Sequence, residues 1–347
     1  MSRDPVVCPC CPLHCDDVDP VQLMLGKTGC PVADHRVAAV LAATAVDNEE
    51  ALGTCRQWIR DAKQIVVTGY VIDLETSRAI SEFANATGAD VEVDGSNSAM
   101  LPLFAREGAF LTTLGEVTSR DASMLVIGDV TSHWPRIEAR LEQVKTIQRW
   151  QDDEALTSRL AALRALVTNR FTAESPVDKV VASAATMIRA SAYLVVLVAP
   201  LQESIGRSPV IWSTILGMVR ELNKVTRAAI LSFDPSVTQR SVMASRFDPK
   251  PYPLPANGAA LHIHFSPFGM GGNRSGGKTI VIGTGDKVFH KNERCLTASV
   301  PGLHHSGIVI RGDGSVTLPL QTCFPKPDQR SELPTPAEQL RLLFAPA

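Results

Sequence analysis

The chain has 347 residues, 45% of them hydrophobic and 20% charged, with 34 Lys+Arg against 36 Asp+Glu for a formal net charge of -2. At ~150 residues per domain this length suits two domains with an appendage rather than one small module, and the apolar content excludes a disordered chain. The balanced charge, without any K/R-rich run, excludes the global field that drives non-specific nucleic-acid binding.

The longest apolar run, 193–201, falls well short of the ~20 residues of a membrane helix. The N-terminus, MSRDPVVCPCC, has no apolar stretch after its charges, so the reading is a cytoplasmic protein without a secretory signal, in a compartment where thiols stay reduced. Five of the eight cysteines, Cys8, Cys10, Cys11, Cys15 and Cys30, fall in the first thirty residues. Helical periodicity follows over 31–62, with Val32, Val37, Val40 and Leu41 on one stripe and Leu52, Trp58 and Ile59 after the acidic stretch 47–50. Short apolar runs and amphipathic stretches then alternate: a strand over 64–68, a helix over 74–87, and strands over 90–93 and 124–127. Strand, helix, strand is the signature of a parallel sheet with helices on its faces.

A charged amphipathic helix is predicted over 151–169 and a break at 174–176. A second unit then reads as helix 177–190, strand 193–198, helix 208–222 and strand 228–233. Prolines at 249, 251, 253 and 255 predict a stiff surface connection over 248–258. Short strands follow at 261–265, 279–282, 296–300 and 307–310, and an amphipathic stretch at 336–344. The predicted fold class is α/β, two Rossmann-like lobes with mostly parallel sheets preceded by a small Cys-rich segment. The expected division is 1–50 for the Cys-rich segment and following helix, 51–170 for the first lobe, 171–323 for the second lobe with its returning strands, and 324–347 for a C-terminal arm.

Cys8-x2-Cys11-x3-Cys15, with Cys30 fourteen intervening residues later, can supply four thiolates to one tetrahedral site, either zinc or an iron-sulfur cluster. Spacing does not choose between them, and the alternative is a set of thiols ordered by packing alone. Cys10 is surplus, and His14 could replace one cysteine at zinc. The string 272–279 satisfies the phosphate-loop pattern, but Lys278 and Thr279 run into a β-branched strand where that loop needs a helix N-terminus; a nucleotide-binding enzyme is the most distant reading. His304 and His305, adjacent in an extended chain, point to opposite faces. His262 and His264 share one face, without an evident third ligand. Arg311-Gly312-Asp313-Gly314 predicts a hairpin turn.

CPCCPLHCDDV followed by TGCPVADHR resembles the N-terminus of the formylmethanofuran dehydrogenase subunit that is related to the molybdenum and tungsten formate dehydrogenases. Residues 88–130, from GADVEVDGSNSAM to FLTTLGEVTSRDASMLVIGDV, and 295–320, CLTASVPGLHHSGIVIRGDGSVTLPL, resemble two further stretches of that subunit. The resemblance implies a [4Fe-4S] cluster on Cys8, Cys11, Cys15 and Cys30. It also implies a metal-ligating cysteine or selenocysteine in the loop after residue 93, where this chain reads Asp94-Gly95-Ser96-Asn97-Ser98-Ala99-Met100; only a serine oxygen, from Ser96 or Ser98, could stand in. A molybdenum or tungsten pterin is therefore not expected. A chain with this N-terminus and no such ligand is most similar to the homologous subunit of the formyltransferase/hydrolase complex of methylotrophic bacteria. That resemblance implies a non-catalytic structural subunit, with an amidohydrolase, a formyltransferase and a further subunit as partners; these move a formyl group from formyl-tetrahydromethanopterin to a methanofuran-type carrier and release formate. The alternative is a working molybdenum or tungsten oxidoreductase subunit.

Overall fold

A computed structural model describes residues 4–43, 48–92, 100–168, 178–201, 207–243, 260–269, 277–284, 291–324 and 332–344. The break at 174–176, the Pro-rich connection, the loop holding Ser96 and Ser98, and most of the phosphate-loop string lie outside the described residues.

Two parallel sheets form the frame, as the alternation predicts. One comprises β1 (Ile65–Gly69), β2 (Asp90–Val91), β7 (Leu261–Ser266), β8 (Lys278–Gly283) and β9 (Glu293–Thr297), in the order β2-β1-β7-β8-β9. The other comprises β3 (Ser123–Ile127), β4 (Thr146–Trp150), β5 (Tyr193–Val198) and β6 (Arg227–Leu231), in the order β4-β3-β5-β6. Every neighbouring pair in both sheets is parallel. Their central strands read as continuous apolar runs because helices or other chain cover both faces; β1 and β5 are buried throughout.

The lobes are not consecutive, which corrects the expected division into 51–170 and 171–323. The four-stranded sheet is built from residues between β2 and β7, and β1 pairs across it with β7, Ile65 opposite Leu261. Apolar periodicity reports that a segment is a buried strand but carries no information about its partner, so pairing across a long insertion leaves no local trace. A strand absent from the sequence reading, β4, is the mostly half-exposed edge of its sheet, and its sequence TIQRW lacks an apolar run.

The helix α4 (Leu74–Thr87) has the predicted bounds. Asp73 caps it by accepting from the Thr76 amide at 3.3 Å, Gly88 ends it at φ 71°, and Ala79, Ile80, Phe83 and Ala84 form its buried stripe. The stretch 336–344 also folds as predicted, as α13 (Pro336–Phe344), but not as a free arm. Leu340 and Leu343 are buried in the core of the five-stranded lobe, and the Phe344 ring meets Phe83 edge-on at 5.5 Å. Arg341 pairs with Glu75 and Glu82 on α4. Leu340, Leu343 and Phe344 thus pack on a core assembled from distant segments, while Leu342 stays exposed.

The two faces of the four-stranded sheet separate by period 2. Leu125, Ile127, Leu194, Val196 and Val198 face the helices α9 (Leu156–Val167), α10 (Lys179–Ala190) and α11 (Arg207–Leu222). Met124, Val126, Val195 and Leu197 share a core with the N-terminal cysteines, Trp134 and the antiparallel hairpin β10 (Gly307–Ile310) and β11 (Thr317–Leu320). The Cys-rich segment is therefore inner packing rather than an external appendage. Among the described residues no helix is long and apolar enough to cross a membrane.

Candidate functional site

Residues 6–18 form a closed loop. Val6 and Val18 pair antiparallel through hydrogen bonds of 2.9 and 3.3 Å, and the Cys8 amide donates to the Cys15 carbonyl at 2.8 Å. His14, at φ 42°, is the one non-glycine with positive φ among the described residues. Its amide donates to the Cys11 carbonyl at 3.0 Å and its Nδ1 lies 3.1 Å from the Cys8 carbonyl, which fixes Nδ1 as the protonated ring nitrogen. Burial pushes the His14 pKa down to about 4, so the imidazole is neutral and serves to close the loop.

The outer carbonyls of the loop are taken by the lobes. The Tyr70 hydroxyl donates to Pro9 at 3.4 Å, the Arg36 guanidinium to Cys10, and the Gly312 amide to Pro12 at 2.7 Å. On the far side, Arg136 grips Asp17 with two bonds of 2.9 and 2.8 Å, Arg140 reaches Asp16 and Asp17, and Arg311 reaches Asp16.

Cys8, Cys10, Cys11, Cys15 and Cys30 are all buried and unbridged. The Cys8 thiol is held well above its ordinary pKa by its hydrogen bond with Cys10 and by burial. Burial, with Cys8, Cys15 and Cys30 nearby, does the same to Cys11, and burial with Cys8 takes Cys15 to about 11. Sequence reading missed a sixth member: Cys323 donates to the Gly302 carbonyl at 3.3 Å and is raised to about 12 by burial and by Cys8. Cys8, Cys15 and Cys30, three of the predicted ligands, thus lie within electrostatic reach of the fourth, Cys11. Sulfur donors of this kind and number suit a soft metal, yet among the described residues no group of three or more His, Cys, Asp or Glu side chains is disposed to hold a metal ion.

The second place of interest is the carboxyl end of the five-stranded sheet. The chain leaves β1 toward β2 and leaves β7 toward β8, in opposite directions, so a crevice opens between β1 and β7 where α/β proteins take ligands. Tyr70 follows β1 and Phe268 follows β7, with ring centroids 6.2 Å apart. The Arg36 guanidinium lies over both rings, 5.4 and 5.0 Å from their centroids, while donating to Cys10. Next to it, the N-terminus of α4 is occupied by its own Asp73, 2% exposed. A helix N-terminus of this kind is where such folds hold phosphate. Here that position is filled by a carboxylate of the chain itself.

His304 is buried, accepts from the Val300 amide at 2.9 Å and stacks on Phe324, whereas His305 is half-buried and bonds Ser299 at 2.9 Å. His264 is buried beside Thr68, its Nδ1 3.0 Å from Oγ1. Lys278 and Thr279 begin β8, and the Lys278 ammonium lies 5.3 Å from the centre of the Trp58 ring. No helix follows that lysine, as its sequence context predicts. Arg311–Gly314 makes the predicted hairpin turn, with Gly314 donating to Arg311 at 2.7 Å.

No family model and no curated protein matches the sequence. Among solved structures, the chain is similar to one in the crystal structure of the formyltransferase/hydrolase complex (FhcABCD) from Methylorubrum extorquens in complex with methylofuran. The identity is 19%, over 86% of this chain and 95% of that one, with a TM-score of 0.68. At that identity, the likeness establishes a shared fold running through nearly the whole of the matched chain.

Proposed function

We propose that this chain is a non-catalytic structural subunit of a formyltransferase/hydrolase complex, corresponding to its formylmethanofuran dehydrogenase-like component. Its partners are an amidohydrolase, a formyltransferase and a further subunit, which move a formyl group from formyl-tetrahydromethanopterin to a methanofuran-type carrier and release formate. The observation that carries this reading is the self-filled crevice: Arg36 lies over Tyr70 and Phe268, and Asp73 occupies the α4 N-terminus. A ligand there would have to displace a buried carboxylate and a guanidinium that each already have partners. The fold shared with a chain of such a complex supports the same reading. The test is co-expression with the three other subunits, followed by co-purification and assay of formate release from the formylated carrier. Stable assembly is expected, with formate release unchanged by Ser96→Ala and Ser98→Ala. Loss of activity in those variants without loss of assembly would make the loop catalytic and overturn the proposal.

The reading extends to Cys8, Cys11, Cys15 and Cys30 as positions for a structural zinc ion or [4Fe-4S] cluster, which would staple the loop. What supports it is the burial of the four side chains in one core, with Cys8, Cys15 and Cys30 in electrostatic reach of Cys11; binding would require the side chains to turn toward a common centre. Metal analysis of the purified complex should find one zinc or four irons per chain, and Cys11→Ser should then lower assembly rather than specific activity. A chain free of both metals would leave the thiols as packing residues.

A further inference from the structure

The four-stranded sheet does not end at β6. The segment between α5 (Met100–Glu107) and α6 (Leu114–Ser119) lies along its outer edge. The Ile230 amide donates to the Phe110 carbonyl at 2.8 Å and the Thr112 amide to the Ile230 carbonyl at 3.0 Å, a parallel bridge between Leu111 and Ile230. In such a bridge the neighbours of Leu111 bond the sheet, and its own N–H and C=O point away from it. Neither group is hydrogen-bonded among the described residues. The side chains here are apolar and uncovered: Leu111 is 57% exposed, Phe110 49%, and Val225, in the turn that leads into β6, 82%. Thr112 fixes the segment in place, its Oγ1 accepting from the Tyr193 hydroxyl at 2.6 Å and donating to Glu116 at 3.0 Å. The charges beside this edge are unbalanced. Glu107, at the end of α5, is shared by Arg106 and Arg220, and Glu116, on α6, by Arg120 and Arg227. Four guanidiniums thus stand on two carboxylates, and the cations are outermost: the two glutamate side chains are 22% and 23% exposed, the arginines between 46% and 69%.

We propose that this edge takes an extended, acidic segment of a partner subunit, which adds a strand beside Leu111, lays apolar side chains on Phe110 and Leu111, and answers the surplus arginines with carboxylates. The inference rests on the reading of this chain as one subunit of a complex. Strand addition draws its affinity from main-chain bonds and its selectivity from alternate side chains. Soluble proteins ordinarily blunt an open edge with charged residues on the edge itself. Residues 108–112, Gly-Ala-Phe-Leu-Thr, carry none; the charge stands to either side, where it can select a segment of opposite sign without blocking the pairing. A second copy of this chain is the wrong occupant. Pairing the same edge about a twofold axis would set the arginines of one copy against those of the other, a juxtaposition that opposes association.

The experiment compares the full chain alone with the assembly formed by co-expression with the three other subunits, reading hydrogen exchange at the Leu111 amide. Exchange there should slow by about tenfold or more on assembly, as a free amide gains an acceptor. Arg106→Glu combined with Arg120→Glu should raise the dissociation constant by about tenfold or more, whereas Arg78→Glu, which reverses an exposed arginine on α4, should leave it unchanged. Assembly with the Leu111 exchange rate unaltered would overturn the strand addition and leave the subunit reading standing. Equal effects of the double variant and Arg78→Glu would also overturn it, since the attraction would then belong to the whole surface. Failure to assemble at all would remove the subunit reading, and this inference with it.

Discussion

Arg36 joins three segments through one planar group: its guanidinium donates to the Cys10 carbonyl and lies over the rings of Tyr70 and Phe268. A lysine could supply the charge but not the flat, many-donor surface that bonds a carbonyl and covers two rings together. Arg36→Lys is therefore expected to lower stability by about 1–2 kcal/mol, the range of a desolvated cation-π contact, and Arg36→Ala by more, read from denaturant midpoints at constant slope. A midpoint unchanged in Arg36→Lys would mean that the stack is incidental. None of this was legible in the sequence, where Arg36 is one charged residue on a predicted helix and its partners stand far along the chain. The cysteines were legible because the signal is local: five thiols within thirty residues. His14 lay between the two cases, visible as a candidate ligand while its bond to Cys8 depends on a backbone turn that sequence does not announce.

Elements are most legible where one residue type decides the geometry. The α4 helix carries its own start and stop, Asp73 and Gly88, and α13 its amphipathic stripe, so both are placed to the residue. The ends of the parallel strands depend instead on glycines whose role appears only in three dimensions. Gly69 closes β1 at φ 105°, and a Cβ there would stand 2.2 Å from the Phe265 carbonyl oxygen of the neighbouring strand; at Gly283, at the end of β8, the corresponding distance to Ser266 is 2.0 Å. The close approach of backbones at the mouth of the crevice needs the absence of a side chain. Gly69→Ala is expected to cost roughly 3 kcal/mol or more, combining strained φ with a backbone clash, and to lower the midpoint of thermal unfolding or prevent folding. Gly53→Ala, on the α3 helix (Asn48–Asp61) with open space around its Cβ, serves as the control, since helix propensity favours alanine there. Similar losses in both variants would remove the argument.

At the scale of the molecule, the fold class was readable and the assortment of strands was not, because an apolar run specifies burial and leaves partnership to tertiary context. The N-terminal cysteines connect that assortment to the proposed role. They lie in one core with the inner face of the four-stranded sheet and the C-terminal hairpin, and the loop is pinned through Asp16 and Asp17 to Arg136 and Arg140 and, from the hairpin turn, to Arg311. The pairing of β1 with β7 also has a consequence in time. As the chain is synthesised, β3 to β6 can assemble while β1 still presents one open edge, because the strand that covers it begins only at Leu261. Such an exposed, largely apolar edge is a template for wrong pairing. The nascent protein is thus most vulnerable in the interval before its final quarter emerges, and a ribosome that stalls between β6 and β7 releases a species with a nearly finished lobe and a strand with one open edge.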